Sequence, residues 1–211
     1  MSEDISIAAD GVLLPGDLEV PHAATGIIVF AHGSGSSRLS TRNRFVASTL
    51  RETGAFGTLL FDLLTPEEDE IYANRFEIGV LGSRLEAATV HLLERPDMRD
   101  MPIGYFGAST GAAAAVVAAT RLKSTVRAVV SRGGRPDLAG EALAQLFAPT
   151  LLIVGGDDHV VIELNEAALR RIPAADKRLD IVPGATHLFE EPGTLEMAAA
   201  LTRDWFERFL V

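Results

Sequence analysis

The chain of 211 residues contains no cysteine. Disulfides, thiolate metal sites and a cysteine nucleophile are therefore excluded, and the absence fits a reducing compartment. Aromatic residues are sparse at 6%, with one tryptophan and two tyrosines. Positive charge is in deficit: 19 Lys and Arg stand against 29 Asp and Glu, a formal net charge of -10. So acidic a chain repels phosphate backbones and gains little from an anionic bilayer, which argues against nucleic-acid and membrane partners. No apolar run approaches the roughly 20 residues of a membrane span. The longest candidate, Gly111 to Thr120, is short and alanine-rich. Met1-Ser2-Glu3-Asp4 is acidic where a secretory signal is basic, so the expected location is cytoplasmic.

What the chain does have is an apolar content of 47% with 23% charged residues, an ordinary balance for a soluble globular protein. The length suits one domain, expected to cover residues 1–211. Short, continuous apolar runs recur at Ile27–Phe30, Thr58–Phe61, Ile103–Phe106, Val126–Ser131, Leu151–Val154 and Leu179–Val182, each closed by Gly, Asp, His or Pro. Strands buried on both faces of a parallel sheet read this way. Helical periods lie between them, over Thr41–Thr53, Phe76–Leu93, Thr110–Leu122, Leu138–Leu146, Val161–Ile172 and Leu195–Leu210. The alternation predicts an α/β fold, a mostly parallel central sheet flanked by helices. Ile5 to Val20 reads as one or two edge strands. There is no internal repeat, low-complexity tract or linker.

Ligands in such sheets sit at the carboxyl ends of the strands. Gly107-Ala108-Ser109-Thr110-Gly111 falls there, between a strand and a helix. This is G-x-S-x-G in the strand–turn–helix context that exposes a serine nucleophile at a helix N-terminus; the competing reading is a glycine-rich turn with Ser109 as a helix cap. Gly156-Asp157-Asp158-His159 follows a later strand and offers a carboxylate to orient an imidazole. Asp158 fits the spacing better, with Asp157 as the fallback and the better candidate for a helix cap. His187 lies in the loop Gly184 to Phe189, after the last strand. Ser109, Asp158, His187 is the nucleophile–acid–histidine order of one hydrolase fold, which lifts His187 above an ordinary surface histidine. An oxyanion hole needs the amide after the nucleophile, Thr110, and one from an earlier strand-end loop. His32-Gly33-Ser34-Gly35 is that loop, and Ser34 is the candidate donor. His32 reads as a structural hydrogen-bonding residue. The phosphate-binding patterns G-x-G-x-x-G and G-x-x-x-x-G-K-[ST] are absent.

Arg38, Arg132 and Arg135 follow predicted strand ends. They are candidate contacts for an acidic substrate, against the alternative that they serve loop carbonyls or the many carboxylates. The run Pro66-Glu67-Glu68-Asp69-Glu70 reads as a solvated loop or a helix start, with a short rim over the site as a further reading.

These stretches resemble the α/β-hydrolase superfamily over nearly the whole chain. Within it, the chain is similar to the dienelactone hydrolase-related group of small, lidless hydrolases. The resemblance is carried by Ala31 to Arg38, Gly104 to Gly111, Ser131 to Asp137 and Pro183 to Phe189, the second and fourth being the most specific. It implies an α/β-hydrolase fold with little or no cap and the cleavage of small carboxylic esters or lactones. Relatives of this group also occur fused to a phosphoribosyltransferase-like domain. True dienelactone hydrolases use a cysteine nucleophile where this chain has Ser109, so the resemblance implies ester hydrolysis more firmly than any one lactone. The expected mechanism is acyl transfer to water with no metal and no cofactor, on a small-molecule ester, by a monomer or homodimer. A thioesterase, amidase or peptidase on the same three residues, or a non-catalytic binding protein of the fold, are the alternatives.

Overall fold

A computed structural model describes all residues, 1–211. The N-terminal stretch forms two strands, β1 (Ser2–Ala9) and β2 (Val12–Glu19), paired antiparallel. Asp10 and Gly11 turn the hairpin at φ 48° and 81°, the double positive φ that a two-residue turn between twisted strands demands. Six further strands follow: β3 (Gly26–Ala31), β4 (Phe56–Phe61), β5 (Ile103–Ala108), β6 (Val126–Arg132), β7 (Thr150–Gly155) and β8 (Lys177–Val182). They join one sheet in the order β1-β2-β4-β3-β5-β6-β7-β8. The strands from β4 to β8 in that order pair in parallel, and β2 meets β4 antiparallel. The architecture is an α/β-hydrolase fold.

Alternation along the strands builds two cores. Ile27, Val29 and Ala31 of β3 face one, and Ile28 and Phe30 face the other. The first core takes helices α3 (Ile78–Leu93), α4 (Thr110–Arg121) and α5 (His159–Arg171). The second takes α1 (Thr41–Glu52) and α6 (Thr194–Leu210). The last helix docks Trp205 and Phe206 on the sheet, and Gly104 makes the room: a Cβ there would stand 2.6 Å from the Phe206 ring. No helix is long and apolar enough to cross a membrane.

Two expected helices differ from the sequence reading. The period over Leu138–Leu146 belongs to a 3-10 stretch, Pro136–Gln145, broken at Gly140 with φ 56° and ψ -126°; this left-handed glycine interrupts a regular helix. Phe76 closes a separate 3-10 turn, Tyr72–Phe76, so the long helix starts at Ile78. The acidic run begins the short helix α2 (Pro66–Asp69), where Thr65 and Glu68 cap each other. Only these two short turns rise between β4 and α3, and no inserted domain covers the strand ends.

Candidate active site

Ser109 sits between β5 and α4 with φ 50° and ψ -121°. A non-glycine residue adopts such a backbone only when its surroundings force it, at a cost of about 1–3 kcal/mol. The surroundings do so here. The Ser109 N–H donates to the Arg132 carbonyl at 3.3 Å, while the Ser109 carbonyl accepts from Ala112 at 3.1 Å and Arg135 at 3.0 Å. Both flanking glycines are obligatory. A Cβ at Gly107 would stand 2.5 Å from Ala112 Cα, and one at Gly111 would fall on the Ala31 carbonyl oxygen. Strand and helix thus close to van der Waals contact and push the serine outward. Its hydroxyl makes no hydrogen bond within the protein, so it does not cap the helix.

The β8–α6 loop brings His187 to the same place. Its Nδ1 lies 2.7 Å from Asp158 Oδ2, with the Asp158 side chain 15% exposed and that of His187 39%. Of the two neighbouring aspartates, Asp158 makes this contact. Asp157 is exposed, its N–H donates to the Ala185 carbonyl, and its side chain does not cap α5, which starts at His159 with Asp158 in the preceding position. The expected cap role of Asp157 is therefore not realised, because the helix begins two residues earlier than Val161. The loop itself is tied down by Glu191, whose carboxylate accepts from the Thr186 N–H at 3.0 Å and the Thr186 hydroxyl at 2.6 Å. Phe189, fully buried at φ 56°, anchors the other side.

Ser109, His187 and Ser34 line one cavity of about 250 Å³. Only two of its twelve lining residues, Ala108 and Leu188, are apolar. The N–H groups of Ser34 and Thr110 are engaged by no hydrogen bond in the chain. His32 is buried behind this loop. Its Nε2 accepts from the Leu63 N–H at 3.0 Å, which fixes the proton on Nδ1, facing the Gly33 carbonyl at 2.9 Å. Burial holds its pKa below the ordinary value, against the opposing pull of the Gly33 carbonyl, Asp62 and Asp69. It is a neutral brace for the loop.

The three arginines separate. Arg38 is clamped by Asp62 at 2.6 Å and Asp17 at 3.1 Å, and Arg135 by Asp137 at 2.8 Å. Neither lines the cavity, because a nearer carboxylate claims each guanidinium. Arg132 does line it, at 6% exposure. Arg42 and Asn43, at the start of α1, line it too; strand-end reasoning missed them because a helix N-terminus carries them over the sheet edge.

A family model described as the dienelactone hydrolase family matches residues 51–210. The chain belongs to the dienelactone hydrolase family. A solved dienelactone hydrolase from Anabaena variabilis is 53% identical, with a TM-score of 0.95 over 100% of this chain and 99% of that one. Est1E from Butyrivibrio proteoclasticus shares the fold at a TM-score of 0.81 and 16% identity, over 97% of this chain and 98% of its own. A Mycobacterium tuberculosis protein that carries the name of a phosphoribosyl transferase is 59% identical over 204 residues. That match takes in 97% of this chain but 46% of the relative, so the chain spans about half the length of the curated relatives it matches. Membership of this family supports hydrolase activity.

Proposed function

We propose that the chain is a serine hydrolase of small carboxylic esters or lactones. The observation that carries this reading is the 2.7 Å contact between His187 Nδ1 and Asp158 Oδ2, in a cavity that Ser109 also lines. With Nδ1 held by the carboxylate, His187 keeps Nε2 free of any protein partner and available as a base. His187 takes the Ser109 proton as the hydroxyl oxygen attacks the ester carbonyl. The N–H groups of Thr110 and Ser34 stabilise the resulting oxyanion. Collapse expels the alcohol with the proton from His187, and water, deprotonated by the same imidazole, releases the acid. Asp158 orients the imidazole and stabilises it while charged.

Residues 1–211 form the hydrolase unit in this reading, with its site needing neither metal nor cofactor. Ser109→Ala should abolish turnover of p-nitrophenyl acetate and labelling by a fluorophosphonate probe. Retained activity in that variant would overturn the assignment.

A further inference from the structure

Asn165 is a fully buried amide near the middle of α5, on the face that also buries Val161 and Ala168. Its Nδ2 donates to the Gly134 carbonyl at 2.9 Å and to the Val161 carbonyl of its own helix at 2.8 Å. Its Oδ1 is buried without a hydrogen-bond partner. An apolar side chain of similar shape would fill this place without that cost, so packing alone does not account for an amide here.

The peptide unit that Asn165 grips does. The Gly134 carbonyl and the Arg135 N–H belong to one planar peptide group, and that N–H donates to the Ser109 carbonyl at 3.0 Å. The Arg132 carbonyl accepts the Ser109 N–H at 3.3 Å. The stretch from Arg132 to Arg135 thus clamps both backbone polar groups of Ser109, whose φ of 50° persists only while its surroundings over-determine it. Gly134 has no side chain with which to steady the clamp and no room for one: a Cβ there would fall on the Ser131 hydroxyl and stand 2.6 Å from Ala112 Cβ. The hold comes from α5 instead, and a hydrogen bond to the carbonyl end of the peptide polarises the N–H end that grips Ser109.

We propose that Asn165 is a positioning residue for the Ser109 hydroxyl, acting through the Gly134–Arg135 peptide. It does not line the cavity. The proposal rests on the hydrolase reading for its effect on rate, but the relay itself can be read without turnover. The same helix starts directly after Asp158, whose carbonyl accepts the Ile162 N–H at 2.9 Å. Asn165 follows about two helical turns later. One rigid helix therefore fixes both the carboxylate that holds His187 and the clamp that holds Ser109, which refers base and nucleophile to a common frame.

The test uses the full chain with Asn165→Leu, which keeps the branched shape and removes the donor. Ala168→Gly is the control, because it weakens α5 one turn further on without touching the bond. The first readout is hydrogen exchange at single amides, followed by nuclear magnetic resonance. The Arg135 N–H reports the relay, and the Gly133 N–H, which donates to the Ile153 carbonyl at 2.7 Å, reports the same loop apart from it. In Asn165→Leu the protection of Arg135 relative to Gly133 should fall about tenfold, the loss of one hydrogen bond's hold. In Ala168→Gly the ratio should stay at the parent's value. The second readout is kinetic: kcat on p-nitrophenyl acetate and the rate of fluorophosphonate labelling should fall by about tenfold to a hundredfold in Asn165→Leu, with KM within about twofold. Ala168→Gly should keep the parent's kcat. If Asn165→Leu does not fold, judged by its melting transition, Asn165→Ser takes its place, since the shorter side chain falls short of Gly134 while its hydroxyl still bonds the Val161 carbonyl. An unchanged exchange ratio, an unchanged kcat and labelling rate in an active protein, or losses in Ala168→Gly equal to those at Asn165 overturns the proposal. A parent chain that turns over no ester counts against the hydrolase reading alone, because the exchange ratio still decides the relay.

Discussion

Gly33 faces Ser109 so closely that a Cβ built on it would stand 2.9 Å from Ser109 Cβ and 3.7 Å from the hydroxyl oxygen. The Ala108 carbonyl blocks retreat at 3.2 Å. A methyl group here must move either the serine or the loop that carries Ser34. Displacement of reacting groups by a fraction of an ångström to one ångström costs up to about a hundredfold in rate. Gly33→Ala should therefore lower kcat/KM on p-nitrophenyl acetate by roughly tenfold to a hundredfold, while costing only about 1–3 kcal/mol in urea unfolding. Unchanged kinetics would show that the contact is slack.

Much of this site was legible because its chemistry is tied to turn sterics. Gly107 and Gly111 announce the sharp strand-to-helix turn, and the structure shows the collisions that exclude larger residues. Continuous apolar runs located the six strands from β3 onward: β3 to β7 are covered on both faces, while β8, at the sheet edge, is largely exposed and buries only Val182. The arginines were not separable in sequence. Arg38 and Arg132 both follow a strand, but Asp17 and Asp62, distant in the chain, claim only the first. Arg42 was invisible for the same reason: nothing local says that the first turn of α1 overhangs Ser109. The helix read over Leu138–Leu146 failed because periodicity does not register a single glycine break.

The adjacent aspartates predict opposite outcomes. Asp158→Asn keeps the shape of the side chain but removes the charge that favours the productive imidazole tautomer. By analogy with other triads it should reduce kcat by about 10³- to 10⁴-fold. Asp157→Asn changes an exposed side chain without a partner and should stay within about twofold, since surface substitutions of this kind are near neutral. Steady-state kinetics on both variants decides the matter. Equal losses would remove Asp158 from its role.

His32 makes stability depend on pH near neutrality. Burial keeps its pKa below 6.5 in the folded chain, while the unfolded chain recovers that ordinary value. Below it, the unfolded state binds a proton that the folded state refuses, so stability falls as pH drops. The slope contributed is at most about 1.4 kcal/mol per pH unit for one proton. His32→Gln removes the titration. Its urea-unfolding free energy should be lower than the parent's at pH 8 and vary less between pH 7 and pH 5. A parallel pair of pH profiles would show that His32 does not titrate as its burial requires.

Glu68 acts with the opposite sign. Its carboxylate accepts from Arg84 Nη1 and Nη2, both at 2.6 Å, and from the Thr65 N–H at 2.8 Å. The Arg84 guanidinium, with help from the Thr65 N–H, pulls its pKa from 4.5 to about 2 against the opposing effect of burial. The folded form is thus favoured by ionised Glu68 above pH 4.5, and this contribution disappears as pH falls toward about 2. Arg84 is only 3% exposed, and its other carboxylate, Asp10, is 3.8 Å away, so neutralising Glu68 strands a buried charge. The Glu68 side chain is itself 29% exposed, and solvent screening reduces the full cost of a buried pair. Glu68→Gln should therefore destabilise the chain by about 1–3 kcal/mol at pH 7, and the gap to the parent should close progressively below pH 4.5. The consequence reaches the site through α2: the next residue, Asp69, grips Arg75 at 2.9 Å, and Arg75 Nη1 lies 3.2 Å from where a Gly35 Cβ would sit, beside Ser34. Loosening this strap should lower turnover of p-nitrophenyl acetate at pH 7 together with stability. Turnover held at the parent's value in a destabilised Glu68→Gln would separate the strap from the Ser34 loop.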